Sequence, residues 1–220
     1  MKDLVESILA ESKAQVIVEE VQERLAAEKK KRQAFYDMAH EHVKAEFVNG
    51  EIIIHSPVKK RHSDATGLLL QLLNPYVFLK KLGYVGFEKI MTVFTRNDYE
   101  PDLCFFKKET SDHFKEDQSL FPIPDFVVEV LSTNEKHDRQ TKYKDYEEHG
   151  VQEYWIVDPK KQIVEQYILK KGKYELALKA KDGKIRSETV QGFVIPIRAI
   201  FDKLENLKAL RAMLGVEDDS

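Results

Sequence analysis

The sequence predicts an α/β fold built on a mixed sheet flanked by helices, and the order of the predicted elements leads to this prediction. A long helical pattern is followed by three strand-like runs, a second helix and a further strand. The final strand–helix–strand passage implies a parallel pair joined by a right-handed crossover. The short polar link between the first two strands instead favours an antiparallel hairpin. The sheet is therefore expected to contain both kinds of pairing.

The start of the chain is predicted to be a helical extension over residues 1–33, followed by the main domain over residues 34–215. The extension lacks Gly and Pro, and its apolar residues Val18, Val21 and Leu25 are spaced by three and four, as in an amphipathic helix. Two interpretations stay open. The helix packs on its own domain, or it forms a helix–helix contact in a homo-oligomer.

The main domain begins with a short helix over 34–44 and a hairpin around Asn49-Gly50, a pair that tolerates the positive φ angles of a type I′ turn. Residues 108–124 are expected to be a long polar loop. The other predicted elements are a helix over 61–81 that Pro75 kinks or ends early, strands over 84–94, 101–107 and 125–131, a helix over 134–149, a strand over 153–157, a hairpin of 163–169 with 174–178, a strand over 185–190 and a helix over 201–214.

The composition limits the possible functions. Hydrophobic residues make up 42% of the 220 residues and the net charge is −3, so the chain lacks the strongly basic character of a dedicated DNA-coating protein. Nucleic-acid contacts would therefore depend on local clusters such as Lys59, Lys60 and Arg61. The single cysteine, Cys104, excludes an intrachain disulfide and a cysteine-rich zinc site, and we expect it to be a small core residue.

Membrane insertion is not expected from the sequence. No segment reaches the roughly 18 consecutive apolar residues that a membrane helix needs. The first residues carry Asp3, Glu6 and Glu11, which are unlike a signal peptide. A cytoplasmic protein is the expectation.

Two carboxylates, Asp102 and Glu129, stand out as candidates for chemistry. Glu129 lies within an apolar strand, where a buried carboxylate requires hydrogen bonds, an ion pair with Lys or Arg, or a metal ion. Asp102 opens a neighbouring predicted strand, and two carboxylates on adjacent strands repel each other unless a cation lies between them. Hard oxygen ligands favour Mg²⁺ or Mn²⁺. A metal site and a simple ion pair at Glu129 both remain open at this point.

Several short motifs occur in a fixed order along the chain. They are Asn49-Gly50-Glu51-Ile52 with Ser56-Pro57, Pro101-Asp102, Glu129 within Val-Val-Glu-Val-Leu-Ser, Lys142 four residues before Tyr146, and the run Gly-Val-Gln-Glu-Tyr-Trp-Ile-Val-Asp-Pro over 150–159. Together they resemble the Uma2 family of restriction endonuclease-like proteins over about residues 35–201. The resemblance implies a PD-(D/E)xK nuclease fold and metal-dependent hydrolysis of phosphodiester bonds in DNA or RNA.

The chain departs from the superfamily pattern at one position. The residue two beyond Glu129 is Leu131, where the pattern has Lys. The resemblance suggests that Lys142, on the following helix, supplies the ammonium group instead. The alternative is a surface pair between Lys142 and Asp138 at i, i+4 spacing. Tyr146 is expected to pack in the core rather than to stack on a base.

Three further residues are possible auxiliary members of the site. Glu46 precedes the Asn-Gly turn and resembles the additional acid of such sites, with a strand-edge surface charge as the alternative. His62, at the head of the long helix, could meet a phosphate or transfer a proton, with a solvated helix-start histidine as the alternative. Glu88 is predicted to lie in the first core strand and could be a third carboxylate.

Two functions follow from these observations. In the first, Asp102 and Glu129 hold Mg²⁺ or Mn²⁺, and Lys142 stabilises charge on the phosphate of a nucleic acid. DNA is the expected substrate, with RNA as the alternative. In the second, the chain is a non-catalytic module for nucleic-acid binding or assembly that keeps the nuclease fold. Leu131 in place of Lys, together with the low net charge, favours the second function.

Overall fold

The structure, a computed structural model, describes residues 2–38, 44–132 and 135–216. The chain divides into two units, Met1–His55 and Ser56–Ser220. Each unit has its own secondary structure, and the two candidate carboxylates Asp102 and Glu129 both belong to the second.

The N-terminal unit contains two helices and a hairpin: α1 (Lys2–Leu9), α2 (Ala14–Met38), β1 (Ala45–Val48) and β2 (Glu51–Ile54). The strands β1 and β2 pair antiparallel. Asn49 has φ 52° and Gly50 has φ 83°, so both central residues of the turn adopt the positive φ angles that the Asn-Gly pair predicts.

The single helix predicted over 1–33 is wrong in its bounds. A turn at residues 10–13 separates α1 from α2, and Ser12 within it is of a type that favours turns over helix interiors. The second helix predicted over 34–44 has no start of its own, because α2 continues to Met38. Residues 39–43 of that prediction lie outside the described part of the chain.

The C-terminal unit holds the main sheet and its helices. Its elements are α3 (Lys60–Lys80), β3 (Gly83–Phe87), β4 (Met91–Val93), β5 (Asp98–Tyr99), β6 (Leu103–Lys107), α4 (Lys108–Ser111), β7 (Leu120–Phe121), β8 (Phe126–Val130), a π-helical segment (His137–Lys142), α5 (Tyr143–Glu148), β9 (Glu153–Asp158), β10 (Ile163–Lys170), β11 (Lys173–Ala180), β12 (Lys184–Arg186), β13 (Val194–Pro196), a 3₁₀ turn (Ile197–Ile200) and α6 (Lys203–Leu214).

A six-stranded mixed sheet forms the centre of this unit, with the strand order β11-β10-β9-β8-β6-β3. The strands β8 and β9 pair parallel, while the other neighbours pair antiparallel. The π-helical segment and α5 connect the parallel pair, so the predicted crossover and the mixed α/β class are confirmed. On one face, Leu69 and Leu72 of α3 belong to the same buried cluster as Phe126, Val128 and Trp155 of the sheet.

The strand predicted over 84–94 is two strands in the structure. Glu88 adopts φ 53° between β3 and β4, and this left-handed conformation interrupts the extended backbone. The strand β3 pairs antiparallel with β6, whereas β4 pairs antiparallel with β5. The predicted antiparallel arrangement therefore holds, although the two halves of the run lie in different ladders.

Other boundaries also differ from the sequence prediction. Pro75 neither ends nor shortens α3, which continues to Lys80. The predicted loop over 108–124 contains the short helix α4 and the strand β7, which pairs parallel with β4. The strand predicted over 185–190 is limited to β12, which pairs with β13.

Candidate functional site

Asp102 immediately precedes β6, and Glu129 lies in the adjacent strand β8 at the same level of the main sheet. Leu103 of β6 pairs with Val128 of β8, so the residues that follow in this antiparallel register are Asp102 and Glu129. Both are buried, with 6% and 3% of their surface exposed. The Oδ2 atom of Asp102 accepts a hydrogen bond from the backbone N–H of Val130 at 2.9 Å, directly beside Glu129.

The ammonium group of Lys142 contacts the carboxylate of Glu129. Its Nζ atom lies 2.9 Å from Oε1 of Glu129, and the hydroxyl of Tyr146 donates to the same oxygen at 2.8 Å. Lys142 is only 2% exposed, so it is not part of a surface pair. It also lies 3.8 Å from Oδ1 of Asp138, which makes the i, i+4 pair a second contact of a buried ammonium.

The helix that carries Lys142 is irregular at this point. His137–Lys142 form a π-helical segment, a rare conformation that often occurs at functional sites. The hydroxyl of Tyr154 donates to the carbonyl of Asp138 at 3.1 Å, and Nζ of Lys142 lies 5.6 Å from the ring centroid of Tyr99. The ammonium group is therefore held between carboxylates and the face of an aromatic ring, which attracts cations.

Negative charge is concentrated around this cluster. Burial raises the pKa of Tyr154 well above its ordinary value, and the nearby charges of Glu129, Asp138 and Asp102 raise it further. Burial also raises the pKa of the Cys104 thiol, and Glu129 adds to this effect. The Cys104 side chain is fully enclosed, which supports the expectation that it is a core residue rather than a thiolate.

His62 joins the cluster from the first turn of α3. Its Nε2 atom lies 3.1 Å from Oδ2 of Asp102, and the residue is 7% exposed. The alternative of a solvated helix-start histidine is therefore wrong. Its Nδ1 atom is buried and has no hydrogen-bond partner among the described residues. A side-chain nitrogen thus lies buried beside the carboxylate pair.

Glu88 does not reach the site through a core strand. It lies at the break between β3 and β4, and its side chain is exposed. Only its backbone N–H approaches the site, because it donates to the carbonyl of Asp102 at 3.3 Å. The left-handed backbone at Glu88 interrupts the strand alternation on which its prediction as a site residue depended.

Glu46 belongs to the N-terminal unit and is completely buried in β1. Its Oε2 atom lies 3.1 Å from Nε2 of His55, so it is not the exposed strand-edge charge that the sequence left as an alternative. Its role as an auxiliary acid stays a prediction.

Sequence reasoning missed Tyr146 and Asp138 as members of the cluster. Asp138, Lys142 and Tyr146 are separated by four residues each, a spacing that places side chains along one side of a helix. That spacing was a usable signal. The contact between His62 and Asp102 had no such signal, because 40 positions of sequence separate the two residues.

Asp102 and Glu129 offer oxygen ligands, the kind that hard divalent cations prefer. Within residues 2–38, 44–132 and 135–216, no three His, Cys, Asp or Glu side chains are grouped so that they could hold a metal ion. Two carboxylates remain, and Mg²⁺ characteristically binds through one or two carboxylates while water and substrate phosphate complete its shell. Asp102 and Glu129 therefore fit Mg²⁺ or Mn²⁺ better than Zn²⁺, which prefers nitrogen and sulfur ligands.

The sequence model of the Uma2 family, described as "Putative restriction endonuclease", matches residues 32–198, which is more than half of the chain. The chain belongs to the Uma2 family. The matched range contains the whole cluster of Asp102, Glu129 and Lys142, and also the hairpin of the N-terminal unit.

A solved structure supports the fold of this Uma2 member. A crystal structure from Anabaena variabilis, titled as a putative nuclease belonging to DUF820, is 22% identical and has a TM-score of 0.61. The similarity covers 71% of this chain and 89% of that chain. At this identity it establishes a shared nuclease-like fold and nothing further. No curated protein matches the chain. No helix in the described part of the chain is long and apolar enough to cross a membrane.

Proposed function

We propose that this Uma2 protein is a divalent-metal-dependent nuclease that hydrolyses phosphodiester bonds, with DNA as the first candidate substrate and RNA as the second. One observation carries the proposal. Two buried carboxylates, Asp102 just before β6 and Glu129 in β8, lie beside a buried ammonium group from Lys142, whose Nζ is 2.9 Å from Glu129. An acid, an acid and a lysine are the groups that the resemblance implies for this chemistry.

Each of the three side chains has a distinct role in the proposal. Asp102 and Glu129 would hold Mg²⁺ or Mn²⁺, which supplies a water of lowered pKa and polarises the phosphate. The N–H of Val130 orients the Asp102 carboxylate, while Tyr146 orients Glu129. Lys142 replaces the lysine that is absent at Leu131 and stabilises the charge that develops on phosphate oxygens.

The burial of Lys142 supports an electrostatic role. A buried ammonium is costly unless it is paired, and Lys142 is paired with Glu129 and Asp138. A surface lysine would be worth little in water, whereas a charge fixed in a low-dielectric site acts strongly on a nearby phosphate. His62, whose Nε2 contacts Asp102, is proposed to position that carboxylate.

A cleavage assay tests the proposal. Single- and double-stranded DNA and RNA are incubated with Mg²⁺ or Mn²⁺ and the wild-type chain, Asp102→Asn or Glu129→Gln. Both changes keep the shape of the side chain and remove its charge, so we expect metal-dependent cleavage to be lost in each. Lys184→Gln, on an exposed residue of β12, is the matched control and should cleave as the wild type does.

Cleavage that persists unchanged in Asp102→Asn would come from another source and would refute the assignment. If no substrate is cut and no metal binds, the non-catalytic module is the better description of this Uma2 protein.

A further inference from the structure

A second feature lies beside the carboxylate cluster, in the same unit of the chain. It is a cavity of about 200 Å³ whose wall includes three cationic side chains, Lys59, Arg61 and Lys160. Two carboxylates, Glu135 and Asp158, and the apolar Leu131 also line it. Its volume is below the roughly 300–1,000 Å³ of pockets that enclose drug-sized ligands, so it suits a single phosphate group rather than a whole nucleotide.

The cavity adjoins the candidate site through two elements. Leu131 lies two residues beyond Glu129, just past the end of β8, and Arg61 directly precedes His62, which contacts Asp102. Asp158 is the last residue of β9, the parallel neighbour of β8. The cavity therefore opens at the carboxyl ends of the parallel strands, where α/β sheets commonly bind ligands.

The charges that line the cavity leave it positive. Asp158 accepts hydrogen bonds from the N–H groups of Lys160 and Lys161, and Nζ of Lys161 lies 3.1 Å from its Oδ2. Glu135 lies 3.7 Å from Nε of Arg139. Both acids are thus engaged by groups that do not include the three cationic side chains.

The three cations have no such partners. In the described ranges, the side chains of Lys59, Arg61 and Lys160 form no ion pair, whereas the intervening Lys60 pairs with Asp64. Lys59 and Arg61 of the basic run 59–61 therefore line the cavity, whereas Lys60 does not. Three exposed cations around a small cavity are matched by an anion with several oxygen acceptors, and Arg binds phosphate through two parallel hydrogen bonds.

We propose that this cavity binds a backbone phosphate of a nucleic acid next to the bond that is cut. The inference rests on the proposed nuclease function, because it assigns the cavity to the same substrate. Phosphate contacts fix the position of a nucleic acid without reading its sequence. The cavity thus sets where the strand lies relative to Asp102 and Glu129, and it implies binding with little sequence preference.

The test is a binding measurement in EDTA, so that cleavage plays no part. Fluorescence anisotropy of labelled single- and double-stranded oligonucleotides is recorded at several salt concentrations for the full-length wild type and the triple variant Lys59→Gln/Arg61→Gln/Lys160→Gln. We expect the slope of log K against log salt to fall in magnitude by about 1 for each phosphate contact that is lost. We expect the same loss for oligonucleotides of different sequence.

A matched control removes the same charge elsewhere. Lys171→Gln/Lys181→Gln/Lys184→Gln changes three exposed lysines that do not line the cavity, and it should keep the wild-type slope. Thermal melting of both variants checks that they fold. Equal slopes for the two triple variants, or no oligonucleotide binding by the wild type, would overturn the inference.

Cleavage is measured separately, with metal. Suppose that cleavage depends on Asp102 but that the cavity variant binds oligonucleotides as the wild type does. This result would refute the phosphate site and leave the nuclease proposal intact. A slope that depends on the cavity, in a chain that neither cuts any substrate nor binds metal, would support phosphate binding by the cavity and refute the nuclease proposal.

Discussion

Glu129 and Glu153 are both buried glutamates, on the neighbouring strands β8 and β9, yet their surroundings differ. Glu153 accepts hydrogen bonds on Oε1 from Trp155 and Gln166, and on Oε2 from Ser187 and from two backbone N–H groups of the following turn. Glu129 accepts from Lys142 and Tyr146, and both of these bonds fall on Oε1.

The donors to Glu153 are all neutral, whereas Glu129 has a cationic one. Five neutral donors satisfy both oxygens of Glu153 and tie β9 to β10 and to the turn after β12, which is a structural role. Glu129 depends on an ammonium group for its charge balance, and a metal ion can share that task. The comparison teaches that burial of a carboxylate does not by itself identify a site, because neutral donors alone can satisfy a buried glutamate, as they do at Glu153.

Glu153→Gln should have the larger effect on folding. An amide presents N–H groups to donors that expect an oxygen, and the loss of charge-assisted hydrogen bonds should lower the free energy of unfolding by about 3 kcal/mol. Glu129→Gln keeps a carbonyl that accepts from Lys142 and Tyr146, and Asp138 still lies 3.8 Å from the Lys142 ammonium, so we expect a smaller loss of about 2 kcal/mol. Urea unfolding of the two variants measures the difference.

Equal losses of stability in Glu129→Gln and Glu153→Gln would contradict the division into a functional and a structural glutamate. Retention of cleavage by Glu129→Gln would contradict the functional role proposed for Glu129.

Lys142→Ala tests whether the cation at Glu129 serves catalysis. Removal of one group that stabilises transition-state charge typically costs on the order of a hundred-fold or more in rate. We therefore expect cleavage to fall by about this factor while metal still binds, because Asp102 and Glu129 are retained. Lys144→Ala, on an exposed residue of the same helical region, is the control and should have little effect. A similar loss in both variants would point to damage to the helix.

Metal addition tests the charge balance at Glu129 directly. A ligand that binds only the folded chain raises its stability by mass action, by about 2.7 kcal/mol at a hundred-fold excess over the dissociation constant. The melting temperature of the wild type should therefore be higher in millimolar Mg²⁺ or Mn²⁺ than in EDTA. The melting temperature of Asp102→Ala should be the same in both. A metal shift that persists in Asp102→Ala would place the binding elsewhere.

Much of the fold could be predicted from local sequence patterns. The apolar run of β8, the helix after it and the run of β9 each carry their own periodicity, and their order dictates a parallel pair. The interruption at Glu88 could not be predicted in this way, because a positive φ at a residue other than glycine leaves no clear pattern in the sequence. The bounds of α1 and α2 were missed because the turn between them contains neither Gly nor Pro.

The candidate site was predictable where it depends on neighbouring strands. Asp102 and Glu129 follow from strand order, and Lys142 followed from the resemblance to the Uma2 family. His62 was not placed, because its contact with Asp102 depends on how the first turn of α3 packs against the sheet. Tyr146 was predicted only to pack in the core, and its hydroxyl contact with Glu129 depends on the fold of the π-helical segment that precedes it.

Glu165 extends the comparison to a third strand, and its expected effect appears as a dependence of stability on pH. It lies on β10 and is 3% exposed. Burial opposes its ionisation, but hydrogen bonds from Arg139 and Tyr167 outweigh burial and lower the pKa of Glu165 from 4.5 to about 2. A carboxylate whose pKa is lower in the folded state stabilises the fold above its unfolded pKa. That contribution is lost as the pH falls through the folded pKa, so the window runs from about pH 4.5 down to about pH 2.

We therefore expect the wild type to be more stable than Glu165→Gln at pH 7, and the difference between them to shrink as the pH falls from about 4.5 towards 2. Urea unfolding of the pair at a series of pH values measures it, and the comparison cancels the other carboxylates that titrate in the same range. Arg139→Gln removes the main hydrogen-bond donor and should reduce the same difference at pH 7. A stability difference that is independent of pH would show that Glu165 contributes through packing rather than charge. Glu165 would then differ from Glu129 and Glu153, because its charge would contribute nothing to stability despite its contact with Arg139.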